Sequence, residues 1–418
     1  MSTIRKLRDE EFKQWVEISG NAYPAFRVTN PDDKQKMEER LIYLQNNEPT
    51  MNFYGVFREE ELVGGMRIHD YVLNMFNIMV RSTGLGSVAV QLLHKKEKVA
   101  KDIVEYFLRY SIANKSPIAM LYPFRPDFYK KMGFGFGTKM NHYKIKPENL
   151  PKGYTKKSLK FFDAADKAQV IECCNRVMKK THGMIEMTEY DLDGFMKRPE
   201  NNMICSKADG RIKGYMIYSF ERAGSVNMLT NDIVVKQLVH EDIETLMEFY
   251  TFLNSQLDQI DRIVFNTQDE DFHHMLLDPR DRSDNMFTPV YHQTNLQGIG
   301  IMYRVVDVKE LFRALNTHNF NNQQCTIRIN VHDSFLPENE GGTVVSFKNG
   351  IPYVLDEDDD YEVEISMDIA DFSSMIIGAV SFKSLIGYGL AEISNTNYID
   401  IVSKIFRVDE KPVCLTLF

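Results

Sequence analysis

Three places in this chain combine residue types that could do chemistry. The first is "VAVQLLHKKEKVAKDI", residues 88–103, where Lys95, Lys96 and Lys98 fall between an apolar strand pattern and an amphipathic helix. A helix N-terminus exposes unpaired amides and the positive end of the dipole, and lysines there add charge suited to a pyrophosphate. The same residues also read as a solvated basic turn. No GxxxxGKS or GxxxxGKT run is present, so this is not an NTPase phosphate loop. The second place is "PDFYKKMGFGFG", residues 126–137, which sets Tyr129 ahead of closely spaced glycines. Such glycines mark backbone that something must approach closely. A phenol, with an ordinary pKa of ~10, can act as a proton donor; as plain structure, Tyr129 is a core tyrosine. The third is the end, "KPVCLTLF", an apolar run finishing at Phe418. Most termini fray. This one has reason to be docked, either for packing or to present its carboxylate.

Positioning these groups requires mixed α/β structure. "STIRKL" reads as a strand and "DEEFKQWVEISGNAY" as a helix with Phe12, Trp15, Val16 and Ile18 on one side. Three strands follow in "MNFYGVFRE", "ELVGGMRIHDYVLNMF" and "VRSTGLGSVAVQLL". The spacing of Val99, Ile103, Val104, Phe107, Leu108 and Ile112 predicts a helix. "SPIAMLYPF" predicts a short strand, "DFYKKM" a brief helix and "FGTKMNHYKI" a strand closing the first domain. "PENLPKGYT" reads as a linker. A second mixed segment echoes the first in "NMICSKADGRIKGYMIYSF", "VNMLTNDIVV", "HEDIETLMEFYTFLNSQL" and "DRIVFNTQ", without a basic loop before its helix. From Tyr303 the pattern changes to "DVKELFRAL", "QCTIRINVHDSFL", "GTVVSFKNGIPYVL" and "YEVEISMDIADFSSMIIGAV".

With 418 residues, two or three domains are the default. A formal charge of −9 argues against nucleic acid or anionic membrane as the partner and favours a cationic one. Five cysteines with no CxxC make no disulfide framework. The start lacks a signal-peptide core, and no run is long and apolar enough for a membrane span, so a cytoplasmic location is expected. The acidic "DEDDD" at 356–360 reads as a solvated turn. His273 and His274, as chain neighbours, are expected to face apart with no third ligand, so no metal is expected.

The strand–loop–helix order around Lys95–Lys98, with "FYKKMGF" after it, resembles the GNAT acyltransferase fold. The whole-chain pattern resembles the Eis family of N-acetyltransferases, best seen in "HKKEKVAKDI", "FYKKMGFGFG", "TIRINVHDSFLPENEG", "VEISMDIADFSSMIIGAV" and "VCLTLF". The resemblance implies an α/β (α+β) fold of tandem GNAT-like mixed sheets followed by a sterol-carrier-protein-like α+β domain. The expected divisions are 1–150, the domain binding acetyl-CoA; 151–300, a degenerate GNAT-like domain; and 301–418, ending in the active site. In the family a Q/R-x-x-G-x-G/A loop binds the pyrophosphate of acetyl-CoA. Here the match is Lys95, Lys96, Glu97, Lys98, Val99 and Ala100, with lysine for the Gln or Arg and Lys98 for the first glycine.

By the same resemblance, amides of Val88, Ala89 and Val90 meet the pantetheine and thioester, and Lys101 completes the phosphate turn. Phe124 and Arg125 touch the pantetheine arm, and Tyr129 donates a proton to the CoA thiolate. The Phe418 carboxylate is the base; its reference pKa of ~3.5 is low for that task, and burial or a bridging water would help. Tyr23 and Phe26 are expected to line the acceptor pocket, and Trp15 reads as core. The activity implied is acetyl-CoA-dependent N-acetylation of a cationic small molecule, aminoglycoside- or polyamine-like, by a homohexamer built as a trimer of dimers. A protein lysine acetyltransferase, or a lipid-binding or regulatory protein with a vestigial site, are the alternatives.

Overall fold

A computed structural model of the chain describes residues 2–26, 30–224, 229–281, 283–287 and 289–418. Its contacts divide it into two compact units. The first comprises Met1–Gly137, Ile301–Glu410 and Leu417–Phe418; the second comprises Thr138–Gly300 and Lys411–Thr416.

The first unit opens with β1 (Thr3–Lys6), α1 (Phe12–Ala22), α2 (Pro31–Asn47), β2 (Met51–Arg58), β3 (Glu61–Met75) and β4 (Ile78–Val90). Then come α3 (Val99–Ala113), β5 (Ile118–Leu121), α4 (Pro126–Lys130) and β6 (Gly135–Phe136). The predicted stripe on α3 is the buried one: Val99, Ile103, Val104, Phe107 and Leu108 pack into one core with Tyr54, Val63, Ile68, Leu85 and Tyr129.

The second unit holds β7 (Met140–Ile145), β8 (Leu159–Phe161), α5 (Lys167–Met178), α6 (Glu189–Met196), β9 (Asn201–Ala208), β10 (Arg211–Arg222) and β11 (Asn231–His240). It continues through α7 (Ile243–Asn254), β12 (Ile260–Thr267), the pair β13 (Met286–Phe287) and β14 (Tyr291–His292), and β15 (Asn295–Gly298). Its sheet runs β15-β7-β12-β11-β10-β9-β8.

The chain then returns to the first unit with β16 (Met302–Val305), whose insertion completes the sheet order β1-β2-β3-β4-β5-β16-β6. It ends with α8 (Val308–Ala314), β17 (Cys325–His332), β18 (Gly341–Lys348), β19 (Ile351–Val354), β20 (Val363–Asp368), α9 (Ile369–Ile376), α10 (Phe382–Gly387), β21 (Ala391–Ile393) and α11 (Ile399–Ile405). Here the sheet order is β19-β18-β17-β20-β21.

Strand membership departs from the expected divisions. "FGTKMNHYKI" is not one strand of the first sheet: β6 pairs with β16, whereas β7 pairs with β12 and buries Tyr143 and Ile145 in the second core. Alternating burial along β7 fixes its face, and the second sheet gives that face an apolar partner. "PENLPKGYT" is no free linker either. Pro147, Asn149 and Leu150 are buried, and the Asn254 side-chain amide donates to the Pro147 and Leu150 carbonyls at 3.1 and 3.2 Å. All five cysteines are free thiols. Among the described residues, no helix is long and apolar enough to cross a membrane.

Candidate active site

β4 carries the irregularity on which the site is built. Its register with β3 holds at Arg67↔Gly86 and resumes at Gly65↔Ala89, so Ser87 and Val88 oppose one residue. That is a β-bulge, and Ser87 has φ of 51°. β5 pairs with β4 only over Ser82–Leu85. From Gly86 to Val90, β4 therefore has β3 on one side and no strand on the other among the described residues. Apart from the Val88 carbonyl, which accepts from the Tyr23 hydroxyl, backbone groups of Val88, Ala89 and Val90 that face that edge are available to a ligand.

A short turn leads from β4 to α3. Lys96 and Lys98 both adopt left-handed φ, 68° and 66°. Lys98 is the N-cap of α3 but its side chain makes no capping bond. The first helical bond runs from the Asp102 N–H to the Lys98 carbonyl at 3.0 Å, leaving the amides of Val99, Ala100 and Lys101 without helical acceptors. Lys95, Lys96, Lys98 and Lys101 are exposed around them. Glu97 is drawn aside: Arg58 donates to its carboxylate at 2.8 Å and to its carbonyl at 2.8 Å, and His94 Nδ1 lies 2.9 Å from the carboxylate. The His94 contact, with Arg58, holds Glu97 below the usual carboxylate range. Lys98 accepts a backbone conformation that glycine takes freely, at a cost of about 1–2 kcal/mol.

Tyr129 projects from α4 into an aromatic enclosure and is 3% exposed. Its ring meets Phe124, Phe128 and Phe134 edge-on, with centroids 5.9, 5.1 and 6.0 Å away. Phe124 is itself 65% exposed. The Arg125 guanidinium is held within its own turn by Asp127. Burial, with a smaller contribution from Tyr23, pushes the Tyr129 phenol above the ordinary range, so the expected value near 10 does not hold.

The glycines after Tyr129 are approached by the chain itself. Arg304 of β16 donates to the Met132 carbonyl, and its guanidinium occupies the space a Cβ at Gly133 would need. Arg304 is paired with Asp333 at 2.7 Å, and both are buried. A Cβ at Gly135 would lie 2.1 Å from the Ala370 carbonyl oxygen. The Tyr129 turn is thus clamped from behind by β16 and α9.

Phe418 lies on β4. A Cβ at Gly84 would stand 2.9 Å from its ring, and one at Gly86 would stand 3.2 Å from its carboxyl carbon and 3.2 Å from an Arg67 guanidinium nitrogen. Alternating glycines bare one face of β4, and the chain end fills it. The Phe418 ring also packs on Tyr71, Tyr122 and His69, at 5.3, 5.3 and 5.8 Å. His69 is 3% exposed, and its Nε2, like Arg67 Nε, has no hydrogen-bond partner. Burial first, then the charge of Arg67, holds the His69 imidazole well below its ordinary range.

Residues 3–137 match the acetyltransferase (GNAT) domain, residues 185–305 match a second acetyltransferase (GNAT) domain, and residues 308–415 match the sterol carrier protein domain. The chain carries two GNAT acetyltransferase domains. Three solved structures share its fold over the whole of both chains. They are a GCN5-related N-acetyltransferase from Anabaena variabilis (17% identity, TM-score 0.79), a probable N-acyltransferase from Enterococcus faecalis (17%, 0.80) and Eis1 from Mycobacterium abscessus (18%, 0.76). No curated protein matches. Two GNAT domains followed by a sterol carrier protein domain is the Eis-family arrangement identified from the sequence. The GNAT domains make the chain an acyltransferase, and the fold implies acetyl-CoA as co-substrate. The open edge of β4 and the unpaired amides at α3 fit that group.

Within this GNAT unit, the expected residues are placed unevenly. Val88–Val90, Lys95–Lys101, Phe124, Tyr129 and Phe418 lie on or beside β4, α3 and α4. Tyr23 donates its hydroxyl to the Val88 carbonyl at 2.7 Å, tying α1 to the bulge. Phe26 closes the turn Pro24–Phe26, and its side chain lies outside the described residues. Arg67, His69, Tyr71 and Tyr122 were not singled out by sequence. The signal for them was the alternation of Gly84 and Gly86 inside a strand, which marks close approach of another backbone. The rings of His273 and His274 lie 4.1 Å apart rather than facing away. Among the described residues, no group of three His, Cys, Asp or Glu side chains could hold a metal.

Proposed function

We propose that the first GNAT domain moves an acetyl group from acetyl-CoA to an amine of a cationic small molecule, aminoglycoside- or polyamine-like. The observation that carries this reading is the Phe418 carboxyl group beside Gly86, on the bulged segment of β4. Acetyl-CoA supplies the activated carbonyl and a thiol leaving group. The residues divide the remaining tasks. Amides of Val99, Ala100 and Lys101, with Lys95, Lys96 and Lys98 around them, hold the pyrophosphate, and the backbone of Glu97 completes the turn. Val88, Ala89 and Val90 align the pantetheine and the carbonyl along the open edge, while Phe124 and the backbone of Arg125 border the arm.

Tyr129 holds a proton through the neutral range, because burial disfavours its phenolate. That proton goes to the departing sulfur, and the second proton shed by the newly acylated nitrogen restores the phenol. The Phe418 carboxylate attracts the ammonium and takes its proton, directly or through one water. His69 stays neutral beside the Phe418 ring and adds no competing positive charge. The reading carries with it the cytoplasmic homohexamer, a trimer of dimers, that the Eis resemblance implies. A stable monomer in light scattering would contradict that part.

The decisive experiment compares three proteins in turnover at saturating acetyl-CoA. Amidating Phe418 removes the charge, a C-terminal tag adds chain as well, and Tyr129→Phe removes the phenolic proton. Each should lower kcat by about 10²–10⁴-fold, with acetyl-CoA affinity nearly unchanged for Tyr129→Phe. Full activity in the amidated and tagged proteins would leave the terminus as packing alone.

A further inference from the structure

We propose that two buried carboxylates of the sterol carrier protein domain, Asp333 and Asp371, are positioning residues for the acetyl transfer, holding the Tyr129 turn from behind at two points. This rests on the proposed role of Tyr129 and gives that domain a part in the chemistry. All the residues involved belong to the first unit.

The turn is built on Tyr129 itself. The Tyr129 carbonyl accepts from the N–H groups of Met132 and Phe134 at 2.9 and 3.1 Å, so ring and turn move together. The Met132 carbonyl in its turn accepts from the Arg304 guanidinium. The other arm of that guanidinium donates to both oxygens of Asp333, at 2.8 and 2.7 Å. Asp333 is fixed where it stands: its carboxylate also accepts from the Leu336 N–H at 2.9 Å and from the Asn339 side-chain amide at 3.0 Å. Leu336 is buried in the same core as Val99, Ile103 and Tyr129, and Arg109 of α3 donates to Glu338. The loop that carries Asp333 is therefore anchored on α3. Through Arg304 it sets how far the Tyr129 turn stands from that helix.

A second clamp grips the residue next to Tyr129. Lys130 donates to Asp371 at 3.2 Å, and its ammonium lies 5.2 Å from the centre of the Phe136 ring. Asp371 sits in the first turn of α9, and Ser373 of the same helix accepts the Val305 N–H at 2.9 Å, next to Arg304 in β16. The two clamps are thus braced against each other. Arg304 and Asp333 are both out of water, so neither charge can part from the other without a large cost. A catalytic group displaced by about 1 Å can lose about 100-fold in rate. Slack in either clamp reaches the reaction through Tyr129.

The full chain is assayed with acetyl-CoA and two probe amines, spermidine and kanamycin. Asp333→Asn should lower kcat by about 10- to 100-fold and Asp371→Asn by about 3- to 10-fold, with acetyl-CoA affinity in calorimetry nearly unchanged. In a Tyr129→Phe background the same substitutions should change kcat by less than about twofold, because no phenol is left to place. Amide hydrogen exchange, read by mass spectrometry, should quicken over residues 126–137 in both variants, whether or not either amine is a substrate. If Asp333→Asn does not fold, Asp371→Asn decides, since its partner Lys130 is partly exposed and water can take over the ammonium. A loss of kcat that persists undiminished in Tyr129→Phe would keep Tyr129 as the acid and sink this inference. Full turnover in Tyr129→Phe would sink the acid role itself, and this inference with it. Unchanged exchange over residues 126–137 in folded variants would overturn the clamp, and if neither amine is acetylated that exchange alone decides it.

Discussion

The two GNAT sheets build the same junction and finish it differently. In the first, Gly64 of β3 lies under the start of α3, where a Cβ would be 2.8 Å from the Ala89 carbonyl oxygen and 3.0 Å from Val99. In the second, Gly214 of β10 lies under the start of α7, where a Cβ would be 2.6 Å from Thr245 and 2.7 Å from the Val239 carbonyl oxygen. Both glycines let a helix start settle onto the neighbouring strand. The ends of the helices then diverge. α7 is capped by Asp242, whose carboxylate accepts the Thr245 N–H at 2.8 Å, and Glu244 adds another negative charge in the first turn. α3 begins at left-handed Lys98 with no side-chain cap and lysines around it. A capping carboxylate occupies the ground a phosphate would need. An anion site at a helix start therefore depends on leaving the cap unmade.

Giving α3 the character of α7 should have the largest effect. Ala100→Asp puts a carboxylate in the first turn of α3. It should weaken acetyl-CoA binding by on the order of 10- to 100-fold in calorimetry while the melting temperature holds or rises. Unchanged affinity would move the pyrophosphate away from this turn.

Two histidines, buried His69 and half-buried His240, give a second contrast. Burial pushes His240 of β11 below its ordinary range, with Asp242 opposing, and pushes His69 down further, with Arg67 reinforcing. For both, the unfolded chain takes up a proton below about pH 6.5 and the folded chain does not. Stability is therefore full above that pH and lost as pH falls below it, over the wider window for His69. His69→Phe should reduce the acid loss of the first unit by up to about 1.4 kcal/mol per pH unit, read as urea midpoints from Trp15 fluorescence at pH 7.5 and 5.5. An unaltered midpoint difference would mean that His69 is protonated in the fold.

The smallest effect tests the other side of the comparison. Asp242→Ala should cost the second unit about 1 kcal/mol, as loss of an N-cap does, and leave acetyl-CoA affinity untouched. A loss of affinity on making that change would give the second domain a part in binding the co-substrate.

Much of this site is legible in the amino-acid sequence by itself. The stripe from Val99 to Leu108 defined α3, the lysines marked its start, and Tyr129 and Phe418 stood out by type and position. Such features are local, because helical spacing, charge and chain ends lie within a few neighbouring residues. Tertiary structure decided the rest. It assigned β7 to the second sheet and β16 to the first, since edge pairing depends on which distant strand offers an apolar face. It brought Arg304 and Asp333 behind the Tyr129 turn, where removal from water makes each charge depend on the other. It also bulged β4 at Ser87 and set Phe418 against Gly84 and Gly86. The glycines stand in the sequence at alternate positions of a strand, and the structure shows that they leave its face bare. Only the folded chain could determine that Phe418 fills it, because that contact joins segments with no local order in common.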